Sequence, residues 1–420
     1  MTQRALGRMT VGQGTALLVG AVLGPGMLVL PHLAAAAAGP ASVLAWAGLL
    51  ALSVPVALTF AALGARHPDG GGVASFVGLA FGPRAAAVTG WWFFFAVPVG
   101  TVAGAIGGAR YVEACFGVDA TLAAWLILLA AFAANAAGLR TSGRLQIGLV
   151  VLLVALLVTA VISAAPHASA ANFTPFAPHG VAGVASAAGV LMFAFVGWEA
   201  ASHLSAEFAD RRSGLLRATV VTLAVIAVLY LGVSLTSIGV LGAGMTGVPL
   251  TGMLELGLGG AARPVTGVVA VLLTFGAINT YLAGTARLGA ALARDGALPR
   301  WFAAGGGPGR TPYRSLGLVA VLTVPVLVCG VELDVLMRAT SACLAAVTAA
   351  GVVAAVRMLP AGRHRRLAVA GAVLSVGALA FCGAYLLVPA ALGAAAVAVP
   401  AASLRRSRAM LSRRPYKKGI

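Results

Sequence analysis

The chain has 420 residues, 60% of them hydrophobic and 9% charged, with 28 Lys and Arg against 10 Asp and Glu. Soluble domains carry roughly 25% charged residues, so this composition excludes them and places the chain in a membrane. Runs free of Asp, Glu, Lys and Arg cover 9–65, 85–109, 120–139, 145–198, 218–254, 264–286, 315–331, 339–356 and 367–404. A crossing helix takes about 20 apolar residues, so the runs at 9, 145 and 367 each hold two helices and the others one, about twelve in all. These runs are apolar on every face rather than alternating, which excludes a transmembrane β-barrel. The first run is longer than a signal-peptide core, so the amino terminus is expected to stay attached.

In chain order, span 1 is predicted at about 10–36, span 2 at 42–64, span 3 at 85–112, span 4 at 120–138 and span 5 at 145–165. After an outer loop containing Pro and His come span 6 at about 181–208, span 7 at 215–241, span 8 at 264–293, span 9 at 315–331, span 10 at 335–358 and spans 11 and 12 within 366–404. No stretch between them is long enough for a soluble domain, so function has to reside inside the bundle. Counted from a cytoplasmic start, twenty-four of the 28 Lys and Arg fall on one side: Arg4, Arg8, Arg66, Arg84, Arg140, Arg144, Arg211, Arg212, Arg217, Arg294, Arg300, Arg310, Arg314, Arg357, Arg363, Arg365, Arg366 and the seven from Arg405 to Lys418. Arg110, Arg263 and Arg338 fall to the opposite loops, and Arg287 lies within span 8 near its cytoplasmic end. The positive-inside rule then puts both termini in the cytoplasm of a multi-pass protein of the cell membrane. The basic tail, 405–420, is explained by topology and attraction to anionic lipids, with no nucleic acid required.

Other chemistries lack their residues. Cys115, Cys329, Cys343 and Cys382 show no CxxC spacing, so neither zinc nor a disulfide framework is indicated. Only Lys417 and Lys418 are lysines and neither follows a glycine-rich loop, which excludes P-loop hydrolysis of ATP. No HExxH-like cluster supports a membrane enzyme, and no charged ring or repeated carbonyl filter supports a channel. A carrier without a cofactor remains.

Two spans are wrong for plain helices. Gly24, Pro25 and Gly26 lie mid-membrane in span 1, where proline removes a backbone donor and glycine permits non-helical angles. Span 6 carries Phe193, Phe195, Gly197, Trp198 and Glu199 at comparable depth, with an acid and a glycine where hydrocarbon penalises both. Five spans separate the two. Interrupted helices at matching places in two halves predict an all-α inverted-repeat transporter, five spans plus five. Repeat 1 covers about 10–165 and repeat 2 about 181–358, with spans 11 and 12 peripheral, in a single transmembrane domain over 1–404.

The stretch from Gly20 to Pro31, GAVLGPGMLVLP, resembles the first-helix signature of the amino acid/polyamine/organocation permeases. Phe195-Val-Gly-Trp-Glu199 followed by Glu207 resembles their sixth-helix signature. Residues 287–299 with Thr311-Pro312 resemble their cytoplasmic loop, and 70–82 their segment before span 3. Within that superfamily the chain is most similar to the bacterial subgroup exporting methionine and branched-chain amino acids, through its length and its Phe-Val-Gly, His-Leu and Ser-Glu-Phe pieces in span 6.

The resemblance implies a substrate site at Leu23, Gly24, Pro25, Gly26, Met27, Phe193, Phe195, Val196, Gly197 and Trp198. An amino-acid zwitterion at mid-membrane needs donors for its carboxylate and acceptors for its ammonium. Freed amides near Gly26 and Met27 would take the first, and freed carbonyls near Phe193, Phe195 and Val196 the second. Pro25 departs from the family, which often has a small hydroxyl residue there, so fewer donors serve the carboxylate. Phe193 falls where related permeases carry an aromatic lid, with plain packing an equal reading of it and the favoured reading of Trp198. Glu199, the one acid well inside a span, is expected to couple its protonation to opening, the alternative being a structural pair with an arginine. His203, one turn on, could share its proton but reads better as an interfacial histidine, and Asn279, Thr280 and Tyr281 are candidates for a coupling-ion site or for helix glue. Span 5 lacks the lysine that replaces sodium in some proton-coupled relatives, so coupling to protons or to sodium stays open, as do uptake against export and monomer against homodimer. The expected substrates are neutral and apolar: methionine, leucine, isoleucine and valine.

Overall fold

The computed structural model describes residues 9–67, 72–138, 143–195, 197–199, 201, 208, 213–305 and 311–398. Its helices are α1 (Val11–Val22), α2 (Leu30–Ala38), α3 (Ser42–Arg66), α4 (Gly72–Phe81), α5 (Pro83–Phe116), α6 (Ala120–Ala136), α7 (Gly143–Ala164) and α8 (Gly180–Leu191). They continue with α9 (Ser213–Leu241), α10 (Pro249–Leu258), α11 (Ala262–Arg294), α12 (Tyr313–Val328), α13 (Leu333–Met358), α14 (Arg363–Ala378) and α15 (387–398). Among the described residues, seven helical stretches are long and apolar enough to cross a bilayer unaided. Two of these, Leu30–Arg66 and Arg363–Ala398, contain a bend at a glycine with positive φ, Gly39 at 62° and Gly383 at 52°, where a side chain would be strained.

Span 1 is α1 and α2 with a break between them, span 6 begins as α8, and spans 2, 3, 4, 5, 7, 8, 9 and 10 are α3, α5, α6, α7, α9, α11, α12 and α13. Two helices were not predicted. α4 precedes α5 and packs on it and on α13. α10 lies in the loop after span 7, opened by Pro249 at its first position and tied to α11 by Glu255 to Arg263 at 2.9 Å.

The arginines expected in outer loops sit on helices instead: Arg110 in the last turns of α5, Arg263 in the first turn of α11, and Arg338 in α13. Arg338 is largely buried because it is paired. Its guanidinium donates to Asp334 Oδ2 at 2.7 Å, to the Ser186 carbonyl at 2.9 Å and to Ser186 Oγ at 3.1 Å, which joins α13 to α8.

Packing divides the helices into two groups. In one, α1, α2, α3, α8 and α9 lie on one another; in the other, α5, α6, α11 and α12 do. α13 spans both, packing on α5, on α8 and on the turn after α8, while α14 packs outside on α3 and α13. Lipid tails are as apolar as leucine, so close approach rather than hydrophobicity drives such contacts. Glycine supplies it within the second group: a Cβ on Gly108 of α5 would stand 2.9 Å from Thr274 Cβ of α11, and one on Gly90 would stand 2.6 Å from Leu292 Cδ2.

Candidate functional site

α1 stops at Val22. Leu23 takes φ −74° and ψ 76°, and Gly24 is extended at φ −82° and ψ 178°, because Pro25 disfavours the helical region for the residue before it. Pro25–Leu28 then forms a 3₁₀ turn with proline at its first position, and α2 resumes at Leu30. The Met27 amide donates to the Gly24 carbonyl at 3.2 Å and the Val29 amide to the Gly26 carbonyl at 3.0 Å. Pro25 has no N–H, and the Gly26 N–H finds no acceptor among the described residues.

Span 6 breaks differently. α8 gives way at Leu191 to a 3₁₀ turn, Met192–Phe195. Gly197 follows at φ 118°, and a Cβ there would collide with the Ala21 carbonyl and come within 2.9 Å of Val22 Cα, so glycine is required both by conformation and by the approach of α1. Trp198 is buried beside it, and the Glu199 carboxylate accepts the Gly197 N–H at 3.0 Å.

Tyrosines from two other helices hold these ends. Tyr111 of α5, fully buried, donates to the Leu28 carbonyl at 2.6 Å. Tyr230 of α9 donates to the Val22 carbonyl at 3.0 Å and lies 3.5 Å from the Ala194 carbonyl. Between the breaks is a cavity lined by Val22, Gly24, Gly26, Met27, Leu30, Phe193, Ala194, Tyr230 and Tyr281. It leaves about 10 Å³ for the centre of a water-sized sphere, room for one water and not for an amino acid. Phe193 closes it. A Cβ on Gly26 would stand 2.7 Å from Phe193 Cδ1, and one on Gly100 of α5 would stand 3.9 Å from Phe193 Cε2, so the ring is held between the two glycines.

Of the residues singled out in the sequence, Gly24, Gly26, Met27, Phe193 and Tyr281 line this cavity. Leu23 is buried at the end of α1, Pro25 opens the 3₁₀ turn and Phe195 ends the one in span 6. Gly197, Trp198 and Glu199 form the second break without lining the cavity. The Asn279 side chain engages α6: Asn135 Nδ2 donates to its Oδ1 at 2.6 Å and to its carbonyl at 3.2 Å. The Thr280 hydroxyl donates to the Gly276 carbonyl of its own helix at 2.9 Å. Val196, His203 and Glu207 lie outside the described residues. Val22, Leu30, Ala194, Tyr111 and Tyr230 were not anticipated.

Two broken helices, packed against each other around a cavity at the centre of an all-helical bundle, define a secondary transporter rather than an enzyme or a channel. The chain belongs to the amino acid permease family, whose profile matches residues 11–411. It is 33% identical to the uncharacterized amino acid permease YecA of Bacillus subtilis, over 91% of this chain and 93% of that one. It is 32% identical to the L-methionine/branched-chain amino acid exporter YjeH of Escherichia coli, over 89% and 91%. A crystal structure of a mutant manganese transporter from Eremococcus coleocola has the same fold at a TM-score of 0.62 and 14% identity, covering 95% of this chain and 94% of that one.

Proposed function

We propose that this permease moves neutral, apolar amino acids, with methionine, leucine, isoleucine and valine first, outward across the cell membrane. The observation that carries the reading is the cavity wall. Val22, Met27, Leu30 and Phe193 surround backbone from both breaks, the polar side chains are the hydroxyls of Tyr230 and Tyr281, and no charged side chain is among the lining residues. A basic or acidic substrate side chain would lie unpaired there at a cost of several kcal/mol, whereas the zwitterion finds backbone partners. In this reading the Gly26 amide takes the carboxylate, the carbonyls at Val22 and Ala194 take the ammonium, and Phe193 swings aside to admit the side chain. One methylene is worth only about 1–3 kcal/mol, so the site is broad within the apolar class.

The outward direction is supported by the similarity to the E. coli exporter, and cytoplasmic termini by the one-sided distribution of Arg and Lys. Spans 1–5 and 6–10 act as the inverted repeats, each opening with a broken helix, and Glu199 is the candidate for proton coupling. Labelled flux with purified protein in liposomes tests the substrate. Leucine and methionine should be carried and should compete with each other, and arginine and glutamate should do neither. Selective flux of arginine or glutamate overturns the apolar-site reading. In cells, overproduction should speed release of these amino acids, and faster uptake instead would make the protein an importer.

A further inference from the structure

Of the two carbonyls proposed for the ammonium, Val22 already accepts a side-chain hydroxyl and Ala194 lies at long range from the same group. Tyr230 is only 2% exposed and lines the cavity. Its ring packs edge-on against Trp46, centroids 4.9 Å apart at 63°. Its hydroxyl donates at 3.0 Å to Val22 O, the end of α1, and lies at the 3.5 Å limit from Ala194 O, in the turn after α8. One side-chain atom from a third helix therefore sits where the carbonyls of both broken spans converge.

We infer that the Tyr230 hydroxyl stands in for the substrate's ammonium, so that binding an amino acid exchanges one donor for another. The inference rests on the ammonium site proposed above. The Val22 carbonyl accepts both the hydroxyl and the Gly24 N–H, so its two lone pairs are taken and an ammonium reaches it only by displacing a donor. A hydroxyl has a single hydrogen, which serves Val22 and leaves Ala194 at long range, whereas an ammonium has three and serves both carbonyls. The exchange thus favours the amino acid. Without substrate the hydroxyl is the second donor to the Val22 carbonyl, which also accepts the Gly24 N–H at 2.9 Å, so that carbonyl is fully paired in hydrocarbon and the carrier can reorient unloaded. The ring packed against Tyr230, that of Trp46, carries a buried indole N–H with no acceptor among the described residues. Tyr230 is on this account a positioning residue for the return step, and it sets the balance between exchange and net export.

The test compares exchange, with leucine on both sides of the liposome, to net efflux. Tyr230→Phe removes the stand-in donor but no group that holds the substrate. The leucine concentration for half-maximal exchange should fall about fivefold, the equivalent of one hydrogen bond. Net efflux should slow while exchange is retained, so their ratio rises by a similar factor. Incorporation of 3-fluorotyrosine at position 230, which preserves shape and strengthens the O–H donor, should move both readings the opposite way and guards against a folding defect in the phenylalanine variant. Equal loss of exchange and net efflux in Tyr230→Phe, weaker apparent affinity, or a fluorotyrosine shift in the same direction overturns the inference. If the wild-type protein exchanges neither leucine nor methionine, the substrate reading fails instead, and the ratio is read with whichever amino acid it does exchange.

Discussion

In span 1 the break is held by its neighbours, the Leu28 carbonyl by Tyr111 of α5 and the Val22 carbonyl by Tyr230 of α9. In span 6 a hold comes from the chain itself, where Glu199 closes back on the Gly197 amide two residues away and Gly197 supplies the positive φ. The first break is therefore tied to both helix groups, since α5 belongs to one and α9 to the other. The second carries its own support within the group of α8. In the proposed site, the break clamped from both sides would serve as a fixed platform for the carboxylate, while the one that brings its own cap is free to move as a unit with its helix.

Four substitutions separate the roles of the two breaks. The largest effect is expected from Gly26→Leu, whose side chain would enter the space of the Phe193 ring and cover the amide of the fixed platform. Flux should fall to background with the protein still inserted, and normal flux in a well-expressed variant would remove the platform from the site. Gly197→Ala comes next. It forces a side chain onto φ 118° against the Ala21 carbonyl, with about 1–3 kcal/mol from backbone strain alone, visible as an earlier thermal unfolding in detergent and a loss of flux. Glu199→Gln separates cap from charge, because the amide oxygen still accepts the Gly197 N–H. Thermal stability should hold while flux slows several-fold and its pH profile flattens; an unchanged rate and profile reduces Glu199 to a cap. The smallest effect belongs to Tyr111→Phe, which deletes one clamp on span 1 at about 1 kcal/mol, read as a few-fold weaker apparent affinity with exchange and net efflux scaled alike.

Much of the fold was legible because charge is excluded from hydrocarbon: the charge-free runs locate the spans to within a few residues, and Gly24-Pro25-Gly26 marks the first break through local backbone chemistry. α4 and α10 escaped because helices of ten residues lack the length that identified the spans. The arginines at 110, 263 and 338 were read as loop residues because the positive-inside count registers side and not depth, and the groups that accommodate Arg338 are the Asp334 carboxylate of α13 itself and the carbonyl and hydroxyl of Ser186 on α8, 152 residues away. The tyrosine clamps were invisible for a related reason. Tyr230 and Tyr281 do stand inside charge-free runs, which is a usable signal, but nothing local to a tyrosine in a helix says that its hydroxyl ends at a carbonyl of a distant break. Asn279 shows the opposite case, where a polar residue suited to an ion proves to be engaged by Asn135 of α6.

That amide pair also bears on how the protein is made. Asn135 and Asn279 are separated by 144 residues, and both are buried. At about 5–20 residues per second, α6 emerges from the ribosome roughly 7–30 s before its partner helix. Through that interval Asn135 has the Ala131 carbonyl of its own helix, 3.0 Å away, as a local acceptor. Arrival of α11 then adds two further acceptors in a setting without water, so the early helix recognises the late one by completing a polar group it has carried half-satisfied across the membrane.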